Sequence, residues 1–207
     1  MTDVAALRAE LLGGRVALLP TDTVYGLAAA LDSPEGIEAL YALKGRPRSQ
    51  PCQVLIYGAP LLAELLARLD AVTRAIAAAL LPGPATCLVP DPQGRFAAAA
   101  GDAPGAVGLR APRMEGPLAS LDLPLVATSA NDPGGPDPAV VADVPERLRL
   151  GAGIVADAGH LPGTASAVLD LRAVADRGPA VLIRPGPDPA VVEAAVEVAG
   201  ATLVRPG

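Results

Sequence analysis

The strongest constraint on this chain is a rhythm. Short apolar runs of strand length recur from end to end, each stopped by proline, glycine or a polar residue. They are "RVALLP", "CQVLIY", "ATCLVP" after a "PGP" turn, "AVGLRAP", "LPLVATSAN", "AGIVAD", "SAVLDL" and "AVLIRPG". Runs of this length bounded by turn residues read as buried strands. Helical stretches lie between them. Residues 3–13 predict a helix with Val4, Leu7, Leu11 and Leu12 on one face, ended by Gly13-Gly14. "SPEGIEALYALKG" predicts a second, with Ser33 as N-cap, Pro34 at its first position and Gly45 closing it. Ile37, Leu40 and Tyr41 form its inward stripe, and Lys44 continues that stripe. Two short helices around Asp70 (59–81), a helix over 138–149 and a last one over 189–199 capped by Asp188 complete the set. Residues 91–104 read as loop, and "ATLVRPG" as a trailing tail. Interleaved strands and helices imply an α/β fold. Hairpin-length connections between several strands imply an open, mixed β-sheet flanked by helices. At 207 residues, without internal repeat or long linker, one domain over 1–207 is expected.

Composition excludes several classes of function. No apolar run reaches the ~18 residues that span a bilayer, and "MTDVAALRAELL" mixes acidic and basic residues, unlike a signal peptide. A soluble cytoplasmic protein with no membrane partner is the expectation. Cys52 and Cys87 sit in apolar segments with no second Cys or His nearby, so they read as buried thiols rather than zinc ligands. The single histidine, His160, lies in the turn-like "DAGHLPG", and nothing resembles a nucleophile elbow. The net charge of −6 and the four aromatics, Tyr25, Tyr41, Tyr57 and Phe96, argue against a general nucleic-acid coat or a base-stacking platform. A local RNA patch stays compatible with them.

Of 16 lysines and arginines, only Lys44 is lysine. Against so strong an arginine bias, one lysine suggests a place where a compact ammonium is required; chance is the alternative. Polar residues also collect at the ends of elements: "PTDTVYG", "KGRP", "LRAP", "TSAN" and "IRPG". Each alone reads as a turn, a cap or a surface ion pair. Together they suggest a crevice where strand ends converge. Lys44, Arg46, Arg110 and Arg184 supply cations to it, and Thr23, Ser129 and Asn131 supply neutral donors. There is no "GxxxxGK[ST]" and no "GxGxxG" before a helix. A cationic, hydroxyl-rich crevice without a histidine base suits a polyanion, a nucleoside triphosphate or RNA phosphate, and catalysis by charge neutralisation and alignment.

These motifs resemble those of the YrdC-like threonylcarbamoyl-AMP synthases over about Arg15 to Gly186. "PTDTVYGL" is similar to the family's PT-[DE]-T-x-[YF]-G-[LV], and "KGRPRSQPCQVLI" to its K-x-R-P segment. "PGPAT", "GLRAP", "TSAN" and "LIRPG" follow in the family's order. The resemblance implies a motif-bearing core over about 15–186 and a C-terminal helix and tail over 187–207, as in the short form of the family. It implies a twisted open sheet with a concave, positively charged face. The implied reaction converts L-threonine, bicarbonate (or CO2) and ATP to threonylcarbamoyl-AMP and pyrophosphate, for t6A modification of tRNA by separate threonylcarbamoyl transferase machinery.

Carried over by motif, Thr23, Arg110 and Ser166 would contact threonine. Lys44, Arg46, Gln50, Ser129, Asn131 and Arg184 would contact ATP, with Lys44 and Arg46 neutralising charge on the phosphates. Mg2+ would arrive on the ATP phosphates, and no dedicated protein metal cage or tightly bound organic cofactor is implied. Tyr25 fits a pocket wall or a core tyrosine equally. Asp22 fits a turn-stabilising carboxylate or a place near Mg2+. The chain departs from the family at Ala165 and Ala167, where a carboxylate and a hydroxyl are common, and at Asp137, where a small hydroxyl is common. Two other functions fit the same face: a non-catalytic RNA-binding paralogue with a local tRNA or dsRNA contact, and a related carbamoyl-adenylate-forming enzyme. Because Lys44 ends a helix, its replacement by alanine is expected to spare the fold.

Overall fold

The computed structural model describes residues 3–206. Helix α1 (Val4–Leu12) leads into the hairpin β1 (Ala17–Pro20) and β2 (Tyr25–Ala30), then α2 (Pro34–Lys44) and β3 (Gln53–Leu55). Helices α3 (Ala59–Leu66) and α4 (Ala71–Leu80) precede β4 (Ala85–Pro90), α5 (Ala97–Ala100) and β5 (Ala106–Arg110). Then come β6 (Leu125–Ser129), α6 (Glu146–Gly151), β7 (Ile154–Val155), β8 (Ala167–Asp170), β9 (Ala180–Arg184), α7 (Pro189–Val198) and β10 (Leu203–Val204). The strands make one open sheet in the order β10-β9-β8-β4-β5-β3-β6-β2-β1-β7. Pairs β3–β5, β4–β8, β1–β7 and β9–β10 are parallel, and the other five are antiparallel. The sheet is mixed, as the connection lengths predict.

Four local readings are corrected. Residues 138–149 are not one helix: a single tight turn at Val141–Asp143 is separated by Pro145 from the short α6. The trailing "ATLVRPG" contributes the edge strand β10, and the 91–104 loop contains α5. Leu12 departs from its expected face and is half exposed, while Leu7 and Leu11 are fully buried.

The two sheet faces are filled unequally. One face, carrying Leu18, Leu27, Val54, Cys87, Leu109, Val126 and Leu169, packs against residues of α2, α4 and α7 in a continuous core. The other packs a smaller cluster, where Leu7 and Leu11 of α1 meet Ala17, Leu19, Ala28, Leu55 and Leu125. Alternation along a strand puts Gln53 and Leu55, Thr86 and Leu88, Gly108 and Arg110, and Ser166 and Val168 on this second face. No core residue of this cluster comes from β4, β5 or β8, and there the sheet opens into a crevice.

Two glycines set the edges of that crevice. Gly45 ends α2 in the left-handed region at φ 67°, where it donates to the Ala42 carbonyl, and Arg46 N–H donates back to Tyr41 (3.0 Å). This closure, available to glycine at little cost, turns Lys44 and Arg46 toward β6. Gly186, at φ 69°, lies against the β8 backbone so closely that a Cβ would sit 2.3 Å from the Ala167 nitrogen. It presses the end of β9, and Arg184 with it, onto β8.

Candidate active site

A crevice of about 360 Å³ lies over the open part of the sheet, lined by Thr21, Thr23, Arg46, Gln53, Thr86, Gly108, Arg110, Ser129, Asp137, Ser166 and Arg184 among others. A second hollow of about 230 Å³ shares Arg46 and Ser129 with it and adds Lys44, Gln50 and Asn131. All nine residues expected at the site thus border two adjoining hollows. The crevice occupies the sheet's face, with the polar strand ends as its rim, rather than lying beyond the strand ends. The alternation of Gln53, Thr86 and Gly108 on one face explains why.

At one end, Lys44 is deeply buried, 4% exposed. Its ammonium donates to the carbonyls of Ser129 (2.7 Å) and Asn131 and to Asn131 Oδ1 (2.7 Å). Ser129 Oγ donates to the same Asn131 Oδ1 (2.6 Å), and Asn131 Nδ2 donates to the Gly135 carbonyl (2.8 Å). The "TSAN" turn is therefore pinned from below by the chain's one lysine. An ammonium carries three donors on one compact atom, which matches three converging oxygens better than a planar guanidinium does. All three acceptors are neutral. Burial, reinforced by the neighbouring Arg46 charge and opposed by Asp137 and Asp132, lowers the Lys44 pKa to about 8. Lys44→Ala would leave the Ser129 and Asn131 carbonyls without this donor, while Asn131 Oδ1 keeps that of Ser129 Oγ; at 4% exposed, Lys44 is part of the buried interior and not the open helix end on which the expectation of an intact fold rested.

Arg46 donates from Nη2 to the Pro51 carbonyl (2.6 Å), while its buried Nε has no hydrogen-bond partner. A buried donor without an acceptor is costly unless a ligand supplies one. Gln50 is exposed beside it. At the opposite end, Arg184 Nε donates to the Ser166 carbonyl (2.7 Å) and Nη2 reaches Ser166 Oγ (3.4 Å).

Between these ends lies a different kind of cation. Arg110 is 1% exposed. It is ion-paired with Asp22, donates to the Gly83 carbonyl, and lies 3.3 Å from Thr23 Oγ1. The second Asp22 oxygen accepts from Arg113 N–H (2.9 Å). Burial pulls the Arg110 pKa down and Asp22 pushes it back up. Thr23 Oγ1 is also 2.9 Å from Thr21 Oγ1, which itself donates to the Val24 carbonyl (2.7 Å). Asp22 thus neutralises Arg110 and ties the β1–β2 turn to the end of β5.

Tyr25 is fully buried. Its hydroxyl accepts from Ala158 N–H (2.9 Å) and lies within reach of Asp157 Oδ1 (3.0 Å) and the Gly159 carbonyl (2.9 Å). It is a core tyrosine that anchors the 157–163 segment, part of which returns over the site through Gly163 N–H donating to the Thr23 carbonyl (2.9 Å). His160 is exposed. Cys52 and Cys87 are buried free thiols. Of the two alanine departures, Ala167 at the start of β8 belongs to the opposite core, and only Ala165, just before the strand, lines the crevice.

Known proteins share this fold. The Sua5/YciO/YrdC profile, described as telomere recombination, matches residues 9–186. The chain belongs to the Sua5/YciO/YrdC family. A threonylcarbamoyl-AMP synthase of Chromohalobacter salexigens is 34% identical over 174 residues, covering 82% of this chain and 90% of that one. The Pyrococcus abyssi threonylcarbamoyl-AMP synthase is 29% identical over 197 residues, covering 93% of this chain and 56% of the relative, so this Sua5/YciO/YrdC chain spans little more than half of that protein. The crystal structure of P. abyssi Sua5 complexed with L-threonine superposes with a TM-score of 0.79 at 28% identity, covering 97% of this chain and 58% of that one.

Sequence reasoning assigned no role to Gln53, Thr86 or Gly108. For Gly108 the signal was its two-residue spacing from Arg110 on β5; Gln53 on β3 and Thr86 on β4 carried no such local marker. No group of three or more His, Cys, Asp or Glu side chains suited to a metal occurs among the described residues. No helix there is long and apolar enough to cross a membrane.

Proposed function

We propose that the crevice forms threonylcarbamoyl-AMP and pyrophosphate from L-threonine, bicarbonate (or CO2) and ATP. The observation that carries this reading is the pairing of a buried lysine held only by neutral oxygens with an arginine whose buried Nε is unpartnered, beside a hydroxyl-lined pocket. Such an end attracts a polyanion.

Threonine's amine, once deprotonated, bonds to the carbon of CO2 and becomes a carbamate. A carbamate oxygen then bonds to the α-phosphorus of ATP, the bond from that phosphorus to the bridging oxygen breaks, and pyrophosphate leaves with the electron pair. Negative charge grows on the α-phosphoryl oxygens and the leaving group. Lys44, Arg46 and Arg184 stabilise it there, and Gln50, Ser129 and Asn131 orient the nucleotide. Thr23 contacts threonine, and Arg110 acts from behind by holding Thr23. Ser166 lies between the two subsites, bonded toward both.

Mg2+ fits as a companion of the phosphates, bound mainly to phosphate oxygens and water. Of the two carboxylates closest to this chemistry, Asp22 is engaged by Arg110 and Arg113. Asp137 lines the crevice and is the one that could meet a phosphate-bound metal. In this reading the protein works in the cytoplasm and passes its labile product to separate transferase machinery for t6A synthesis. The test is pyrophosphate release from ATP with threonine and bicarbonate supplied singly and together. Release requiring both supports the reading, and release indifferent to threonine overturns it. RNA binding without ATP turnover would favour the RNA-binding alternative.

A further inference from the structure

One polar feature of the crevice has no part in the reaction just described. Gln53 lies on β3 in the middle of the crevice floor, bordered by Gly108 of β5 and Ala127 of β6. Its Oε1 accepts from Thr86 Oγ1 at 3.1 Å, and Thr86 Oγ1 is 3.1 Å from Ser166 Oγ. Ser166 Oγ in turn receives Arg184 Nη2 at 3.4 Å. A guanidinium only donates, and an amide oxygen only accepts. With the Gln53 oxygen toward Thr86, the Thr86 proton points to Gln53 and the Ser166 proton to Thr86, so the donors run from Arg184 through Ser166 and Thr86 to Gln53. A chain of donors aligned in one direction polarises each member. In this arrangement the amide has its oxygen toward Thr86 and its two N–H bonds turned away from it. Among the described residues the Gln53 amide nitrogen makes no hydrogen bond.

The surroundings of that nitrogen have a definite shape. Gly108 leaves its place on the floor without a side chain. A Cβ built there would meet Thr86 Cγ2 and Leu88 Cδ2 at 3.3 Å and Gln53 Cβ at 3.6 Å. The recess is thus shallow, apolar on the β4 side and donor-bearing on the β3 side. Along β5 it is two residues from Arg110, which holds Thr23. A small branched group carrying one methyl and one acceptor oxygen fits such a recess.

We infer that Gln53 sets the choice of amino acid: its amide N–H donates to the side-chain hydroxyl of bound threonine, while the threonine methyl lies over Gly108 against Thr86 and Leu88. The inference rests on the synthase reading and adds a specificity-determining residue to it. Valine has threonine's shape with a methyl in place of the hydroxyl. A site built to hydrogen-bond a hydroxyl discriminates strongly against an analogue lacking it, whereas an apolar pocket separates the two only weakly.

The experiment compares kcat/KM for threonine and valine, read as pyrophosphate release, in the wild type and in Gln53→Met, with calorimetric binding of both amino acids alongside. The expected result is a threonine-to-valine ratio at least about tenfold lower in Gln53→Met, the loss of roughly one hydrogen bond. The loss should fall on threonine, with valine unchanged or improved. Thr86→Val keeps the amide but removes its orienting donor, and is expected to lower the same ratio by a smaller factor. It also serves as the second variant should Gln53→Met fail to fold. A ratio unchanged in both variants, or equal losses for the two amino acids, overturns the inference. A wild type that neither binds threonine nor releases pyrophosphate with it overturns the synthase reading itself, and the inference falls with it.

Discussion

Lys44 and Arg110 are both cations buried to within a few per cent, yet their surroundings differ in kind. Arg110 faces a carboxylate, Asp22, so its charge is cancelled inside the protein. Lys44 faces two backbone carbonyls and a side-chain amide oxygen, so its position is fixed but its charge is not cancelled. Neutral acceptors satisfy hydrogen bonds without consuming net charge. The contrast teaches that burial alone does not separate a structural cation from a functional one: the sign of what surrounds it does. Arg110 braces the β1–β2 turn, and in the proposed reaction Lys44 offers its charge to the nucleotide.

The largest expected effect breaks the Arg110 side of this contrast. Asp22→Ala leaves a buried guanidinium unpaired and should cost about 3–5 kcal/mol of stability, read as a lower urea midpoint at unchanged m-value. Replacing both partners, as Asp22→Ala with Arg110→Met, should recover most of that loss, because no lone charge then remains buried. A double variant as unstable as the single one would contradict the neutralised-pair account.

The Lys44 side should respond in catalysis first. Lys44→Ala is expected to lower kcat for pyrophosphate release by about 10²–10³-fold, with a smaller loss of stability as the "TSAN" turn loses its pin. Lys44→Arg should not restore activity, because a planar fork cannot replace one ammonium among three converging oxygens. Full activity in Lys44→Arg would show that charge alone matters there.

A titration sharpens the same point. With its pKa lowered to about 8, Lys44 is charged below that pH and neutral above it in the free protein. The KM for ATP should therefore rise as pH passes upward through about 8. Stability has its own sign. The folded pKa lies below the unfolded lysine value, so between about 8 and the ordinary lysine range the unfolded chain binds more protons. The Lys44 contribution to stability therefore increases with pH across that window. Lys44→Met should remove this increment from the pH dependence of the urea midpoint.

The smallest effect concerns Asp137, a crevice carboxylate that acts on Lys44. If it opposes the phosphates, Asp137→Asn should lower the KM for ATP by a few-fold. A rise in KM that is relieved by excess Mg2+ would place Asp137 on the metal instead.

Much of this was legible in the chain. Ser33, Pro34 and Gly45 bounded α2, and that helix delivers Lys44 and Arg46 together. The polar ends of strands identified the site's rim because charged and hydroxyl groups beside buried strands need partners. Long-range pairing was not legible. Asp22 and Arg110 lie 88 residues apart, and no local pattern says that one neutralises the other. The three acceptors of Lys44 were equally hidden, because two are backbone carbonyls, which every residue carries. "YGLAAA" reads without clear period because β2 is buried along its whole length, and short apolar runs of that kind do not declare strand or helix. Pro145, a helix breaker, divides the 138–149 stretch.

The account's central claim is that this crevice joins threonine, carbon dioxide and ATP in one product. Incubating the protein with ATP, Mg2+, threonine and isotope-labelled bicarbonate, then analysing small molecules by mass spectrometry, tests it directly. The account predicts threonylcarbamoyl-AMP carrying the labelled carbon, formed in step with pyrophosphate and absent when threonine or bicarbonate is omitted. Pyrophosphate formed without that labelled adenylate, or no ATP turnover at all, would contradict it.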